Sequence, residues 1–401
     1  MTSTDEKSQL LFVDASVGWN KTILNRMELL FDHFLDDIEE GERVLIKVHF
    51  GQLGNTASFR PSYIRTIVDF IKSKGAFPTV AETTGLGYGF GGRYAGRATA
   101  SDYLNMAAKQ GFTMGTINAP IVMLDGELGT DTIRIKVDGK YIDRVEVARG
   151  FYHFDRIIIF SHAKGHPLGG FGGAVKNLGI GCVGKYSKGR AHFGNTPVVI
   201  DPAKCKGAEC AKCLTKCPMR CISIQDDVAV IDHELCIKCA HCSSVCRNLY
   251  GVEDRAIQMG WVEPPTEQAA RFAENAKGVV DALKDIRIDY INLILDISPM
   301  CDCVDHTPYL MTNDIGFLAG QDPVAIDQAS IDLINQAPVN SSSPLAELKP
   351  GDDKFALAQA RKDKEGNLTL STNHIVQLER AEEMGLGSRE YEIKNIETKE
   401  E

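Results

Sequence analysis

The sequence contains no apolar run of about 18 residues, the length that a helix needs to cross a bilayer. It has no block of consecutive basic residues, and its 44 Lys and Arg against 54 Asp and Glu give a formal net charge of −10. The first twenty residues include Asp5, Glu6 and Asp14 and no long apolar segment, so we expect no signal peptide. These absences predict a cytoplasmic protein for which neither a membrane nor a nucleic acid is a main partner.

Cysteine, in contrast, is abundant. The chain has 12 cysteines in 401 residues, and 43% of its residues are hydrophobic, an ordinary fraction for a globular protein. A disulfide framework is typical of short secreted chains, so this cysteine content indicates a reducing compartment instead. The length supports one large core or two of medium size.

Eight of the cysteines form two matched groups within residues 205–246. Each group ends in C-x2-C-x3-C, and the second group repeats the first 29 positions later. With such spacing, three thiolates of one loop bind one [4Fe–4S] cluster while the fourth binds the other cluster, as in two-cluster ferredoxins. We therefore predict two [4Fe–4S] clusters, with Cys205, Cys210, Cys213 and Cys246 on the first and Cys236, Cys239, Cys242 and Cys217 on the second.

Zinc sites with four thiolates also use C-x2-C spacing and are the alternative, although the internal repeat favours clusters. The pattern departs from ferredoxins in its longer first loop, around residues 207–209, and at Arg247, where ferredoxins carry proline. Cys221 is expected to be a buried thiol rather than a ligand. Oxygen-sensitive clusters would indicate an anaerobic or microaerobic host.

Outside residues 201–258, short apolar strands alternate with helical patterns such as that of residues 60–75. This alternation predicts an α/β fold with a mainly parallel sheet and helices on both faces. Neither flank resembles a finished sheet. We therefore expect one α/β domain, built from residues 1–200 and 259–401, interrupted by a two-cluster ferredoxin-like (α+β) insert at 201–258.

Four local signals refine this picture. Ser101 and Asp322 are predicted to cap helices, the latter because proline follows it at the first helical position. Asp138–Gly139 predicts the turn of an antiparallel hairpin, and residues 337–365 read as a polar loop.

A dense group of His, Lys and Gly follows the apolar segment at residues 155–160. In an open α/β sheet, ligands bind at the carboxyl ends of the strands. The candidate charged and acid–base groups are His162, Lys164, His166 and Lys176. Four glycines lead into a helix that begins near Ala174, and they can bring backbone N–H groups close to an anion. They are Gly169, Gly170, Gly172 and Gly173. The pattern predicts a site for a small anionic ligand, with a tight turn carrying two solvated histidines as the alternative.

The segment SPMCDC at residues 298–303 follows a second buried strand. Cys301 and Cys303 are too close in sequence to form a regular disulfide easily, and Asp302 separates them. They could bind a metal or cofactor, hold a substrate, or be buried thiols, and Cys182 could join them as a third thiolate. Asp314, farther along the chain, could face the same crevice.

Residues 85–92 contain a formal G-x-G-x-x-G at Gly87, Gly89 and Gly92. No helical pattern opens directly after it, and the acidic partner expected about 20 residues later is absent, so dinucleotide binding is not favoured. With Arg93 and Arg97, the segment reads as a basic active-site loop instead.

Together these motifs resemble one family. The chain resembles the ferredoxin-containing branch of the family called domain of unknown function 362. The resemblance rests on the paired cysteine groups together with the motifs HFGQLGNTASFRP, SHAKGH, GGFGGAVKNLGIG, SPMCDC and NDIGFLAGQDPVAIDQASIDLI. The resemblance covers about residues 43–336. It implies an α/β domain with an inserted ferredoxin module, but no particular reaction.

The favoured hypothesis is an oxidoreductase or electron-transfer protein in which low-potential electrons pass through two clusters to a ligand in the α/β crevice. A soluble electron donor or acceptor, ferredoxin or similar, would be its partner. The alternative is a metal- or cofactor-binding or maturation protein that uses Cys301 and Cys303, with clusters that are structural or sense redox state. A further metal or organic cofactor is left open.

Overall fold

The computed structural model describes residues 7–19, 21–87, 96–246, 255–260, 264–363 and 365–397. Gly89, Gly92, Arg93 and Arg247, which the sequence singled out, lie outside these ranges. None of the helices in the described ranges has the length and apolar character that crossing a membrane requires.

Eight strands form one large sheet, and ten short strands pair two by two. In chain order the strands are β1 (Ser8–Asp14), β2 (Arg43–Lys47), β3 (Phe77–Glu82), β4 (Ile121–Met123), β5 (Thr132–Lys136), β6 (Arg144–Ala148), β7 (Arg156–His162), β8 (Lys164–His166), β9 (Gly170–Gly172), β10 (Val199–Ile200), β11 (Ile222–Gln225), β12 (Val228–Ile231), β13 (Ile257–Gln258), β14 (Arg287–Ile294), β15 (Gly316–Gly320), β16 (Arg361–Lys362), β17 (Leu368–Thr369) and β18 (Tyr391–Asn395). The sheet order is β18-β1-β15-β14-β7-β2-β3-β4, and only β15 runs antiparallel to its neighbours. The predicted mainly parallel α/β sheet is therefore confirmed.

Helices cover both faces of this sheet. They are α1 (Ile23–Phe34), α2 (Pro61–Ser73), α3 (Ala100–Lys109), α4 (Met114–Ile117), α5 (Ala174–Gly181), α6 (Lys185–Phe193), α7 (Gly207–Cys210), α8 (Lys212–Lys216), α9 (His241–Val245), α10 (Pro265–Ala282), α11 (Pro323–Gln336), α12 (Lys354–Ala358) and α13 (Asn373–Glu383), with a 3-10 turn at Arg149–His153. Alternate strand residues enter two separate cores: Val44 and Ile46 pack with α1 and α2, and Leu45 packs on the face of α5 and α10. This alternation follows from the two-residue period of a strand.

Of the local predictions, some are confirmed and one is wrong. Asp322 caps α11, since its side chain accepts hydrogen bonds from two backbone N–H groups, and β5 pairs with β6 as the predicted hairpin. The cap of α3 is Thr99 and not Ser101, so that prediction is wrong by two residues. Ser101 instead donates its hydroxyl to Glu127, which leaves the threonine to accept from the first turn. The polar stretch 337–365 also contains the short helix α12, whose Phe355 is buried.

Residues between β10 and β13 have a small core of their own, built from side chains such as Ile222, Ile231 and Ile257. The chain enters and leaves this region through the antiparallel pair of β10 and β13. The internal repeat is visible in the backbone. Ala211 and Ala240, 29 positions apart, both have positive φ angles (44° and 63°) and each begins a short helix.

Candidate functional site

A cavity of about 120 Å³ opens at the carboxyl ends of β2, β3 and β7, which are neighbours in the sheet. Parallel strands place their following loops at one edge, so the cavity lies where the strand order predicts a ligand site. We call it the crevice cavity. Among the described residues, its lining includes four Lys and Arg side chains but one carboxylate, that of Glu82; the four cations are Arg97, Lys164, Lys176 and Lys188. This balance favours an anionic occupant.

At one side of the cavity, Cys301, Cys303 and His166 have their sulfur and nitrogen atoms within 4.8 Å of one another. Lys176 Nζ lies 3.7 Å from Cys301 Sγ, and the backbone N–H of Cys303 donates to the same sulfur at 3.3 Å. Burial opposes ionisation of Cys301, but Cys303, Lys176 and His166 together hold its pKa well below the ordinary value. Hydrogen bonding to Cys301, together with burial, raises the pKa of Cys303 well above its ordinary value. These opposite shifts favour a thiolate at Cys301 and a thiol at Cys303.

Asp302, between the two cysteines, anchors their loop to β7. It is fully buried, and its carboxylate lies 2.9 Å from His162 Nδ1 and 3.3 Å from Lys164 Nζ. Burial would raise the pKa of Asp302, but these two partners lower it to about 2. His162 Nε2 faces the carbonyl oxygen of Leu295 at 2.7 Å. Both ring nitrogens thus face oxygen atoms of the protein, and the proposed acid–base role of His162 stays a prediction.

His49 and Glu82 form a pair that the sequence analysis did not select. His49 Nδ1 lies 2.7 Å from a Glu82 oxygen, and Lys47 Nζ lies 2.6 Å from the other. Burial would raise the pKa of Glu82, but Lys47 and His49 hold it well below its usual range. Burial lowers the pKa of His49, which favours a neutral ring, and the contact with Glu82 favours the proton on Nδ1 of His49. Its buried Nε2 has no partner among the described residues and is free to accept a proton.

α6 carries two buried lysines, of which Lys188 lines the cavity and Lys185 does not. Lys185 Nζ donates to Thr84 Oγ1 at 2.6 Å, and Lys188 Nζ donates to Thr83 Oγ1 at 2.6 Å. Burial lowers the pKa of each lysine to about 8, although Asp125 opposes this shift. Neither lysine was predicted as a site residue, because nothing in the sequence distinguishes buried lysines from the exposed ones.

The predicted glycine-rich anion site differs from the structure at the start of α5. The backbone N–H groups of Ala174 and Val175 donate to the Asp327 carboxylate at 2.7 and 2.9 Å, so a protein side chain already occupies them. Gly173 still lines the cavity, and a Cβ there would lie 2.2 Å from Asp327.

The other three glycines serve the local packing. The N–H of Gly169 donates to His166 Nδ1, a Cβ on Gly170 would lie 2.2 Å from the backbone of His374, and Gly172 pairs with Lys164 in the β8–β9 hairpin. The role of Gly169, Gly170, Gly172 and Gly173 in ligand binding stays a prediction.

The other two residues that the sequence suggested for this site, Cys182 and Asp314, lie away from the Cys301 group. Cys182 is fully buried in the core beneath α5, where its thiol lies 3.5 Å from the carbonyl of Asn177, and it does not join Cys301 and Cys303. Asp314 accepts the backbone N–H of Asp296 at 2.7 Å and does not line the cavity.

The paired cysteine groups enclose two further cavities. One is lined by four cysteines together with Ala229 and Ile257, and the four are Cys205, Cys210, Cys213 and Cys246. The other is lined by the second four together with apolar residues such as Ile222 and Ile231, and these are Cys217, Cys236, Cys239 and Cys242. None of these eight cysteines forms a disulfide. Cys221 borders the second cavity with its sulfur 3.5 Å from that of Cys217.

The wall of the second cysteine cavity contacts the wall of the crevice cavity. The backbone N–H of Gly87, in the loop after β3, donates to the carbonyl of Cys239 at 2.9 Å. On α6, a Cβ at Gly189 would lie 2.7 Å from the carbonyl oxygens of Ile237 and Lys238. Lys188 on the same helix lines the crevice cavity. One helix and one loop therefore separate the two cavities.

Comparison with known proteins identifies the family of the chain. The family described as domain of unknown function (DUF362) matches residues 44–332. The chain belongs to this family. That match spans both flanks of the cysteine-rich region and confirms the resemblance drawn from the motifs. The DUF362 description names no reaction.

Within this DUF362 chain, a 50-residue stretch is similar to ferredoxins. It is 48% identical to a ferredoxin of Methanothermococcus thermolithotrophicus, covering 12% of the chain and 83% of that protein. It is 44% identical to an uncharacterized ferredoxin of Methanocaldococcus jannaschii, covering 81% of that protein.

Solved structures show weaker likeness. A Thermotoga maritima protein aligns with a TM-score of 0.34 and 8% identity, over 67% of this chain and 50% of that one. Lactate racemase apoprotein from Thermoanaerobacterium thermosaccharolyticum aligns with a TM-score of 0.29 and 16% identity, over 65% of this chain and 45% of that one. The DUF362 chain thus spans about half the length of each.

Proposed function

We propose that this is an iron–sulfur redox protein that carries two [4Fe–4S] clusters and exchanges electrons with a small anionic ligand in the crevice cavity. Residues 201–258 would form a ferredoxin-like insert. Its first cluster would be held by Cys205, Cys210, Cys213 and Cys246, and its second by Cys236, Cys239, Cys242 and Cys217. The two cavities support this crossed assignment, since each is lined by one of these sets of four cysteines, and none of the eight forms a disulfide.

The donor set fits clusters better than isolated thiols. Burial raises the pKa of Cys239 to about 12 and that of Cys242 well above its ordinary value, so these sulfurs would stay protonated without a cationic partner. Iron supplies that charge, and bound [4Fe–4S] clusters supply one-electron transfer at low potential.

The residues of the crevice cavity suit an anionic reactant. Lys176, Lys188 and Arg97 provide positive charge, which gains strength where water is excluded. The free Nε2 of His49 lies on the same cavity and can take up or return a proton when the ligand changes its charge. Glu82 orients this ring by accepting from its Nδ1.

One observation carries the proposal: the loop of the second cysteine cavity and the crevice cavity share a backbone hydrogen bond and a helix. Gly87 contacts Cys239, and α6 packs on Ile237 with Gly189 while presenting Lys188 to the crevice. An electron leaving the second cluster would therefore have a short path to a ligand beside Lys188.

The first cysteine cavity would face the electron partner. Cys210 is exposed, whereas Cys239 and Cys242 are buried. A soluble electron donor or acceptor, ferredoxin or similar, would meet the first cluster at this surface, and both proteins would occupy the cytoplasm.

A second candidate function is binding of a metal or cofactor by Cys301 and Cys303, with clusters in a structural or sensing role. The proximity of His166 to both sulfurs, within 4.8 Å, is the observation that favours it. Metal beyond about eight iron atoms per chain would support this function.

Anaerobic reoxidation kinetics test the main proposal. Protein reduced with dithionite and desalted is mixed with nitrite or sulfite, both small oxidised anions, and the return of cluster absorbance is followed. We expect Lys176→Met to slow reoxidation at least tenfold, because it removes a cation from the crevice, while the matched change Lys109→Met at the end of α3 has no effect. Equal rates for wild type and Lys176→Met with both anions would contradict the site assignment.

A further inference from the structure

Cys301 is surrounded by hydrogen-bond donors. Its side chain is fully buried, and its sulfur receives the backbone N–H of Cys303 at 3.3 Å and faces Lys176 Nζ at 3.7 Å. The imidazole of His166 is the third neighbour. A neutral thiol is a weak acceptor, so this arrangement suits a thiolate.

The orientation of His166 separates a thiolate from a metal site. His166 Nδ1 accepts backbone N–H groups from Leu168 at 3.2 Å and Gly169 at 2.9 Å. Because Nδ1 accepts, the proton of the neutral ring lies on Nε2. A metal-binding histidine has the opposite arrangement, with its non-ligating nitrogen donating. Nε2–H therefore donates towards the sulfur and has no lone pair for a metal.

Cys303 supplies a second sulfur within 4.8 Å of the first. It is only partly buried and lines the crevice cavity, whereas Cys301 is enclosed. Asp302 fixes the loop between them through His162 and Lys164, so the two sulfurs are held near each other on a rigid support. A disulfide across one intervening residue is strained, and strained disulfides are the readily reduced, catalytic kind.

A chain of hydrogen bonds joins this pair to the second cysteine cavity. Arg97 donates from Nη2 to the carbonyl of Cys303 at 2.8 Å, and the carbonyl of Arg97 accepts the N–H of Gly85 at 2.6 Å. Two residues later, Gly87 donates to the carbonyl of Cys239 at 2.9 Å. The Cys301–Cys303 loop is thus the part of the crevice wall that this chain of contacts connects to Cys239.

We propose that Cys301 and Cys303 form a redox-active dithiol–disulfide couple that exchanges two electrons with the iron–sulfur centres. On oxidation, the Cys301 thiolate and Cys303 thiol form one S–S bond and release two electrons and one proton. Each of two one-electron centres accepts one electron. On reduction the S–S bond breaks, Cys303 takes the proton, and Cys301 returns to its place beside Lys176. The electron partner in this step rests on the proposed function; the couple itself does not.

Differential alkylation tests the couple directly on the full-length, cluster-containing protein. Samples are equilibrated anaerobically in buffers of reduced and oxidised dithiothreitol, quenched with acid, alkylated and digested with trypsin. Cys301 and Cys303 are the only cysteines of the tryptic peptide from Ile288 to Lys354. We expect both thiols to be lost together, with the ratio of dithiol to disulfide changing tenfold for each tenfold change in the buffer ratio. Cys182 stays reduced throughout and serves as the internal control.

The outcomes separate the two proposals. A peptide that remains a dithiol at every buffer ratio, while dithionite still reduces the clusters, overturns the couple and leaves the proposed function standing. If the peptide is oxidised and reduced in dithiothreitol buffers but is never reduced by dithionite-reduced clusters, the couple is supported and its exchange of electrons with the iron–sulfur centres is refuted. Stoichiometric zinc that is lost in Cys301→Ser would overturn the couple in favour of a metal site.

Discussion

Replacing Lys185 with methionine should lower the reduction potential of the second cluster and not that of the first. Lys185 is a fully buried cation on α6, held by Thr84 and by the carbonyl of Ala98. Cys239 is among the groups that act on its pKa, which places its charge within electrostatic reach of the second cysteine cavity. A positive charge there stabilises the reduced cluster, which is the more negative form.

The size of the effect follows from Coulomb's law. At an effective dielectric constant of about 20, a unit charge about 8 Å away contributes about 2 kcal/mol. For a one-electron couple this corresponds to a fall in potential of about 90 mV. The same charge makes the wild-type potential depend on pH. Burial lowers the pKa of Lys185 to about 8, so the lysine is charged below that pH, and the potential should fall as pH rises through it.

Redox titration monitored by EPR provides the measurement, at pH 7 and pH 9 for wild type and Lys185→Met. Lys188→Met is the matched control, since burial also lowers the pKa of Lys188 to about 8 while its partners are Thr83, Asp125 and Glu82 rather than Cys239. We expect a smaller shift in that control. Unchanged potentials in Lys185→Met, or equal shifts in both variants, would refute the placement of Lys185 beside the second cluster.

Three further changes test separate parts of the proposal. Gly189→Val should separate α6 from the cysteine loop, because a Cβ there would lie 2.7 Å from two carbonyl oxygens, and it should slow cluster reoxidation by nitrite. Gly115→Ala should have neither effect, because its Cβ would make only an ordinary contact of 3.7 Å with Thr113. Asp302→Asn should destabilise the protein by about 2 kcal/mol at pH 7, because the pKa of Asp302 falls from 3.8 to about 2 on folding. This contribution is present above pH 4 and is lost as pH falls through 2. The thermal unfolding midpoint of Asp302→Asn should therefore drop at pH 7, whereas that of the exposed control Asp36→Asn should not. Cys217→Ala should abolish the EPR signal of the second cluster and Cys246→Ala that of the first, whereas loss of the same signal in both variants would contradict the crossed assignment.

The sequence predicted those parts of the fold that local patterns determine. Apolar strands alternating with amphipathic helices predicted the parallel sheet, and Asp322 before Pro323 predicted the start of α11. The antiparallel β15 was missed, because GFLAG is short and its pairing depends on the distant β1 and β14. The shift of the α3 cap to Thr99 was also missed, since Ser101 has the same chemistry and its hydroxyl is used by Glu127.

The site was only partly predictable, because long-range contacts set the role of each side chain. His49 and Glu82 each lie at or just beyond the end of a buried strand, a position that could have selected them from sequence. Asp327 could not have been found in this way. It is 153 residues from the Ala174 amide that it binds, and only the folded chain shows that it occupies the helix start proposed for an anion.

The proposal that the chain carries two [4Fe–4S] clusters is tested most directly by metal analysis combined with EPR. Iron, sulfide and zinc are measured in anaerobically purified protein, and EPR spectra are recorded after dithionite reduction. We expect about eight iron atoms per chain and two paramagnetic clusters whose signals are broadened by their mutual interaction. About two zinc atoms per chain and no reducible EPR signal would contradict it, because the eight paired cysteines would then hold structural zinc and no electrons would reach the crevice.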